Sequence, residues 1–120
     1  MPVYKQENKM EYIDEHGYPT AEALKIIKEW SDPYPSLMEF VKKIWWQPDW
    51  GWRKENIKDD VFSRGIKMYA LSTGGWSGNE DIIDAMRKNR NFWMYNWYSS
   101  RVGGHYEFRL VEKTFADASL

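Results

Sequence analysis

The chain contains no cysteine and only two histidines, His16 and His105, among its 120 residues. The absence of cysteine excludes disulfides, thiolate metal sites and thiol nucleophiles, and it agrees with a reducing compartment. A metal site would have to rely on carboxylates, which argues against zinc. We therefore expect no metal and no cofactor.

Long hydrophobic runs and an excess of one charge are also missing. No segment approaches the roughly 18 consecutive apolar residues that a membrane helix needs. Residues 1–10 have no apolar signal-peptide core, so we expect a cytoplasmic protein with no membrane partner. The 17 basic and 18 acidic residues give a net charge of -1, which removes any general electrostatic attraction to nucleic acid.

What the chain does have is an abundance of aromatic side chains. Eight Trp, eight Tyr and five Phe make up 18% of the residues, and this tryptophan frequency is about five times the average. The length fits a single domain. We predict one aromatic-rich domain at residues 20–112, preceded by an arm at 1–19 and followed by a tail at 113–120.

Three segments combine helical periodicity with a capping residue at the start: residues 20–30, 36–46 and 77–89. Thr20 is the predicted N-cap of the first helix. The second and third helices begin with the Ser-x-x-Glu spacing of a capping box, at Ser36–Glu39 and Ser77–Glu80. Asn89 or Asn91 is expected to end the third.

Alternation with a period of two predicts strands at three places: residues 61–73, 92–100 and 105–111. Apolar side chains on both faces of the second segment favour a central strand. Residues 102–104 are suited to a tight hairpin turn, whereas the charged residues 53–60 are typical of an exposed loop. The fold predicted from these elements is α+β, with about three helices packed on a small antiparallel sheet of three or more strands.

The most specific local feature is the segment from Ser72 to Glu80, which runs from a strand end through glycines into a helix start. Such a junction presents unpaired backbone N–H groups that bind phosphate or carboxylate, and Trp76 could stack on a base. The spacing matches neither the P-loop nor the dinucleotide pattern. A tight capped turn is the structural alternative.

The hairpin adds polar residues that suit an anion. Arg101 and Arg109 can bind phosphate or carboxylate, with His105 as a donor or as a candidate catalytic base helped by Glu107 or Arg109. A surface cross-strand network is the alternative for this group. If the third helix packs beside the hairpin, the predicted ligand-binding residues are Thr73, Gly74, Gly75, Trp76, Ser77, Arg101 and His105.

A second candidate site is the run with four tryptophans in eight positions, at Trp45, Trp46, Trp50 and Trp52. Tryptophans beside proline and glycine in a loop can form an interaction surface for bases, sugars or a partner protein. The alternative is that these rings close one end of the core. We expect two of them to be buried and two exposed.

A series of motifs is joined in one order along the chain: Gly17-Tyr18-Pro19-Thr20, Glu22-Ala23-Leu24 with Trp30, Ile44-Trp45-Trp46 with Trp50, Ser72 to Glu80 with Ile82-Ile83, Phe92-Trp93 with Trp97, Ser99-Ser100-Arg101, and Gly103-Gly104-His105-Tyr106-Glu107-Phe108. Over about residues 11–110 this order resembles a family of small bacteriophage and prophage proteins of uncharacterised function. The resemblance implies a phage-encoded accessory protein inside a bacterial host, and it assigns no catalytic residue.

The sequence thus favours a non-enzymatic binding module for a nucleotide-like or other anionic small ligand. One alternative is a protein-interaction module that inhibits or redirects a host enzyme through its tryptophans. A single-stranded nucleic-acid binder and a small enzyme that uses His105 are further alternatives.

Overall fold

The structure is a computed structural model that describes residues 12–59 and 64–111. Its helices are α1 (Ala21–Glu29), α2 (Tyr34–Ile44), α3 (Pro48–Gly51), α4 (Ser77–Lys88) and α5 (Arg90–Asn96). Its strands are β1 (Trp52–Asp59), β2 (Arg64–Ser72), β3 (Trp97–Arg101) and β4 (His105–Val111). The strands form one antiparallel sheet in the order β1-β2-β4-β3, so the α+β prediction is confirmed. The predicted tail at 113–120 and the first part of the predicted arm lie outside the described residues.

Helix α1 begins as the sequence predicts. The Thr20 hydroxyl oxygen accepts a hydrogen bond from the backbone N–H of Ala23 at 3.2 Å, which satisfies one of the free donors of the first turn. Ala23 and Ile27 are buried, and the helix ends where the N–H of Trp30 donates to the Ile27 carbonyl. The predicted helical face therefore packs into the core.

Helix α2 begins earlier than its predicted capping box at Ser36 and Glu39, and that detail of the prediction is wrong. Pro33 occupies the N-cap position, and the helix starts at Tyr34 with Pro35 in its first turn. Proline is tolerated there because the first N–H groups of a helix have no partner within the helix. Of the predicted apolar stripe, Leu37, Val41 and Ile44 are buried and Phe40 is half-buried, and Met38 is buried in addition.

Helix α4 also lacks its predicted capping box, because neighbouring segments use the two side chains. The Ser77 hydroxyl donates to the Tyr18 hydroxyl at 3.1 Å, and the Glu80 carboxylate accepts from the Thr73 hydroxyl at 3.2 Å. The residue that precedes the helix is Trp76. Asn89 ends the helix as predicted, with its N–H donating to the Ala85 carbonyl.

The predicted loop at residues 53–60 is wrong, because Trp52–Asp59 is a strand that pairs with β2 along its whole length. The sequence of this segment lacks the apolar alternation that indicates a strand. In the described sheet the segment is an edge strand. Lys54, Glu55 and Lys58 are exposed, as is common for charged residues on an edge that must resist pairing with another chain.

The predicted strand at residues 92–100 is wrong in its first half. Arg90–Asn96 is helix α5, whose buried residues Phe92 and Asn96 lie four positions apart. Asn89 starts this helix, because its side-chain oxygen accepts from the Phe92 N–H at 3.2 Å. Only Trp97–Arg101 forms a strand, and it lies at the edge of the described sheet rather than at its centre.

The two faces of the sheet differ in character. Tyr69, Leu71, Phe108 and Leu110 are buried on the face that packs against the helices, which confirms the predicted apolar side of β4. The opposite side chains form what we call the polar face: Arg53, Ala70, Ser72, Ser99, Arg101, His105, Glu107 and Arg109. The hairpin at residues 102–104 is confirmed, with positive φ angles at Gly103 and Gly104.

Candidate functional site

A cavity of about 210 Å³ lies on the polar face, near the end of the sheet that carries the β3–β4 turn. Strand register explains which side chains surround it. Ser72 lies directly opposite His105, and His105 lies directly opposite Arg101. Residues opposite each other in an antiparallel pair point to the same side. Three neighbouring strands thus contribute a serine, a histidine and an arginine to one row.

Small side chains leave the space for this cavity. Ala70 lies opposite Arg53 on one side and opposite Glu107 on the other, and Ser99 lies beyond Glu107. All four residues line the cavity. A row of large, small, large and small side chains produces a hollow above Ala70.

The histidine of the row is held by the serine. The Ser72 hydroxyl oxygen and the Nδ1 atom of His105 are 2.7 Å apart, which is a short hydrogen bond. Both residues are half-buried and both line the cavity. The imidazole therefore has a defined position at the cavity wall.

Arg101 differs from the other arginines of the polar face in having no partner among the described residues. Arg109 forms an ion pair with Glu107 at 2.6 Å and lies over the Tyr98 ring, and Arg53 pairs with Glu55 at 2.9 Å. Arg101 has no hydrogen bond or ion pair to any residue within 12–59 and 64–111. Its guanidinium charge is thus available to a ligand at the cavity.

Trp50 stands at the rim of the cavity and is 65% exposed. The short helix α3 presents it, starting at Pro48 after Gln47 adopts a left-handed conformation with φ of 59°. The indole also packs beside Gly74, where a Cβ atom would lie only 3.2 Å from the ring. Trp50 therefore connects the cavity with the glycine-rich turn.

The structure places only two residues of the predicted ligand-binding set at the cavity. Arg101 and His105 line the cavity, whereas the segment from Thr73 to Ser77 does not. Thr73 is buried, its N–H donates to the Gly104 carbonyl at 2.9 Å, and its hydroxyl donates to Glu80. The segment positions the hairpin and the start of α4 instead of surrounding the hollow.

Trp76 is engaged in a packed aromatic cluster. Its ring lies 4.6 Å from Tyr18 and 5.1 Å from Trp46, measured between ring centroids. It also covers Gly78, where a Cβ would come within 2.1 Å of the indole. The indole is accordingly occupied by protein contacts, whereas Trp50 and Trp52 line the cavity.

The tryptophan run splits into buried and exposed halves. Trp45 is 3% exposed and packs edge-on against the half-buried Trp52 at 5.8 Å. Trp46 and Trp50 are 41% and 65% exposed. The Trp45 indole N–H is a buried donor without a partner in the described part of the chain. Two rings therefore close the core, and two face outward.

The predicted ligand-binding set did not include Ser72, Arg53 or Ser99, although Ser72 begins the glycine-rich segment and Ser99 belongs to the polar hairpin. Strand alternation could have identified Ser72. It places Ser72 on the same face of the sheet as Ala70, next to the polar side chains of β4. Arg53 could not be found this way, because the strand that carries it was predicted to be a loop.

Across residues 12–59 and 64–111, no cluster of three or more histidine, aspartate or glutamate side chains is arranged to hold a metal ion. No helix in that part of the chain is long and apolar enough to cross a membrane.

The chain matches no protein-family model, no curated protein and no solved structure.

Proposed function

We propose that this protein is a binding module for a small anionic ligand, such as a nucleotide-like molecule, and that the ligand occupies the cavity on the polar face. The observation that carries the proposal is Arg101, a cation without a partner among the described residues at the wall of a hollow. A guanidinium group binds phosphate or carboxylate through two parallel N–H donors. The anion would lie against this group.

Neighbouring hydroxyl and imidazole groups supply further hydrogen bonds. Ser72 and His105 lie beside Arg101 in register, and Ser99 lies two positions away on the same strand. Glu107 does not oppose the anion with a free charge, because Arg109 neutralises it at 2.6 Å. The net charge of the cavity wall around Arg101 is therefore positive.

Cavity size and Trp50 indicate the kind of ligand. A volume of about 210 Å³ lies below the roughly 300–1,000 Å³ of sites that enclose a whole drug-sized molecule. The cavity suits an anionic group, and the exposed Trp50 at its rim suits a flat ring attached to that group. A nucleoside monophosphate combines both features.

Titration calorimetry with inorganic phosphate and with adenosine monophosphate tests the proposal. The substitution Arg101→Gln should weaken binding of both about tenfold or more, because a hydrogen bond to a charged group contributes about 1.5–3 kcal/mol. Arg90→Gln is the matched control, since Arg90 is exposed and lies outside the cavity. The proposal fails if millimolar ligand gives no heat, or if the Arg101→Gln variant binds like the unchanged protein.

Contact with a host protein is a second candidate function, and the exposure of Trp46 and Trp50 supports it. Exposed tryptophans are frequent anchors of protein interfaces. The substitution Trp46→Ala distinguishes the two functions, because Trp46 does not line the cavity. Loss of a host-protein complex with unchanged phosphate binding would favour the interface.

A role as a phage accessory protein in the bacterial cytoplasm agrees with either function and stays a prediction.

A further inference from the structure

We propose that Ser72 and His105 form a nucleophile and base pair, through which the cavity reacts with activated carboxylic esters. This inference rests on the proposed ligand site, because the ester would occupy the same cavity beside Arg101. A nucleophilic serine requires a base within hydrogen-bond reach, at about 2.6–3.2 Å. The distance of 2.7 Å between Ser72 Oγ and His105 Nδ1 meets this requirement.

The hydrogen bond between Ser72 and His105 is compatible with the tautomer that activates the serine. When Ser72 donates its hydroxyl proton, Nδ1 is the unprotonated nitrogen and Nε2 carries the ring proton. The Nε2 side of the ring lies near Gly103, where a Cβ atom would be 3.3 Å away. The turn glycine thus allows the ring to lie close to the backbone with Nδ1 facing Ser72.

Access distinguishes Ser72 from other hydroxyl groups nearby. Thr73 is buried and donates to Glu80, and the Ser77 hydroxyl donates to Tyr18. Ser72 lines the cavity and is the serine that contacts an imidazole in the described part of the chain. A substrate that enters the cavity therefore meets Ser72 Oγ.

Arg101 completes the arrangement by stabilising negative charge. Attack on an ester carbonyl places a full negative charge on the carbonyl oxygen, and a fixed cation or hydrogen-bond donor at that position lowers the barrier. Arg101 lies opposite His105 in register and has no partner among the described residues. Its guanidinium group is the available donor for the developing oxyanion.

The reaction balances with water as the second reactant. Ser72 Oγ forms a bond to the carbonyl carbon while its proton passes to His105 Nδ1. The bond to the leaving alkoxide breaks, and His105 returns the proton to that oxygen. Water then attacks the acyl-serine with His105 as base, which releases the carboxylic acid and restores the serine hydroxyl.

A fluorophosphonate probe tests the pair directly. Such a probe forms a bond from phosphorus to an activated serine oxygen, fluoride leaves, and the serine proton passes to the base. We expect one added group per chain, which peptide mass spectrometry locates on Ser72. The substitution Ser72→Ala should abolish labelling, and His105→Ala should slow it about 100-fold, the lower end of what a general base contributes.

The control is Ser100→Ala, which changes an exposed serine on β3 whose oxygen accepts from the Trp97 indole at 2.8 Å. This variant should be labelled at the original rate. No labelling of the unchanged protein, labelling at another residue, or a rate unaffected by His105→Ala would overturn the inference. Phosphate binding by the unchanged protein is measured in parallel. If the unchanged protein binds phosphate but is not labelled, the proposed function stands without this reaction.

Discussion

The backbone N–H of Thr73 donates to the carbonyl oxygen of Gly104 at 2.9 Å, and this bond connects the end of β2 with the β3–β4 turn. Ser72 precedes Thr73, and His105 follows Gly104. The bond therefore fixes the register that brings the serine and the histidine together across the sheet. Interactions at this junction determine the geometry of the cavity.

The substitution Gly104→Ala should destabilise the protein by at least about 2 kcal/mol. Gly104 has φ of +79°, which costs a residue with a Cβ atom about 1–2 kcal/mol. The added Cβ would also lie 2.2 Å from the Thr73 hydroxyl oxygen. Urea unfolding measures the loss. Gly75→Ala is the control with a similar φ of +74° and no atom within 4 Å, so a loss as large as that of Gly104→Ala would contradict the packing argument.

Asn89→Ala should cost about 2–4 kcal/mol, because one buried side chain serves three partners. Its oxygen accepts from the Phe92 N–H, and its amide donates to the carbonyls of Ile27 at 2.9 Å and Trp30 at 2.8 Å. The change removes an N-cap, takes one of two donors from the Ile27 carbonyl and removes the side-chain donor of the part-buried Trp30 carbonyl. Thermal unfolding followed by circular dichroism measures the effect. Asn91→Ala, at an exposed position, should stay within about 0.5 kcal/mol, and equal effects would refute the assigned role.

Truncation to alanine should lower the free energy of unfolding strongly at Trp45 and only slightly at Trp50. Trp45→Ala should cost about 3–5 kcal/mol, since the ring is 3% exposed and belongs to the core. Trp50→Ala should change the free energy of unfolding by less than about 1 kcal/mol, because its ring is mostly exposed. Chemical denaturation of both variants checks the difference. A large loss for Trp50→Ala would assign that ring to the core instead of the cavity rim.

Stability should fall at alkaline pH through Tyr69. Burial, and to a smaller extent the charge of Glu39, raises the pKa of Tyr69 above its ordinary value of 10.0. The folded state therefore resists ionisation, and the free energy of unfolding decreases as the pH rises from about 10 through the raised pKa. Tyr69→Phe should make this decrease shallower. A Tyr69→Phe variant with the original slope would exclude this cause.

Elements with strong local signals were predictable from the sequence. Thr20 with the apolar face of α1 predicts that helix, and the glycines at 103 and 104 predict the hairpin. Strand β1 was not predictable, because its charged side chains carry no alternation and only pairing with β2 makes it a strand. Helix α5 was missed since its aromatic residues favour strands locally, whereas burial of Phe92 and capping by Asn89 favour a helix.

The candidate site was predictable only in part for a related reason. The sequence places Arg101 and His105 on one hairpin, which is a local relationship. Ser72 joins them through strand register, and Trp50 joins through the packing of α3, both of which are long-range relationships. The glycine-rich turn was assigned to the ligand because free N–H groups suit an anion. In the structure the side chains of Thr73 and Glu80 bind each other there.

Backbone amide chemical shifts in a titration with adenosine monophosphate locate the anion on the protein, because each residue of the cavity reports separately. We predict the largest changes at Ser72, Ser99, Arg101 and His105, and their loss in the Arg101→Gln variant. Changes centred on Gly75, Trp76 and Ser77, or no changes at millimolar ligand, would contradict the assignment of the anion site to the polar face.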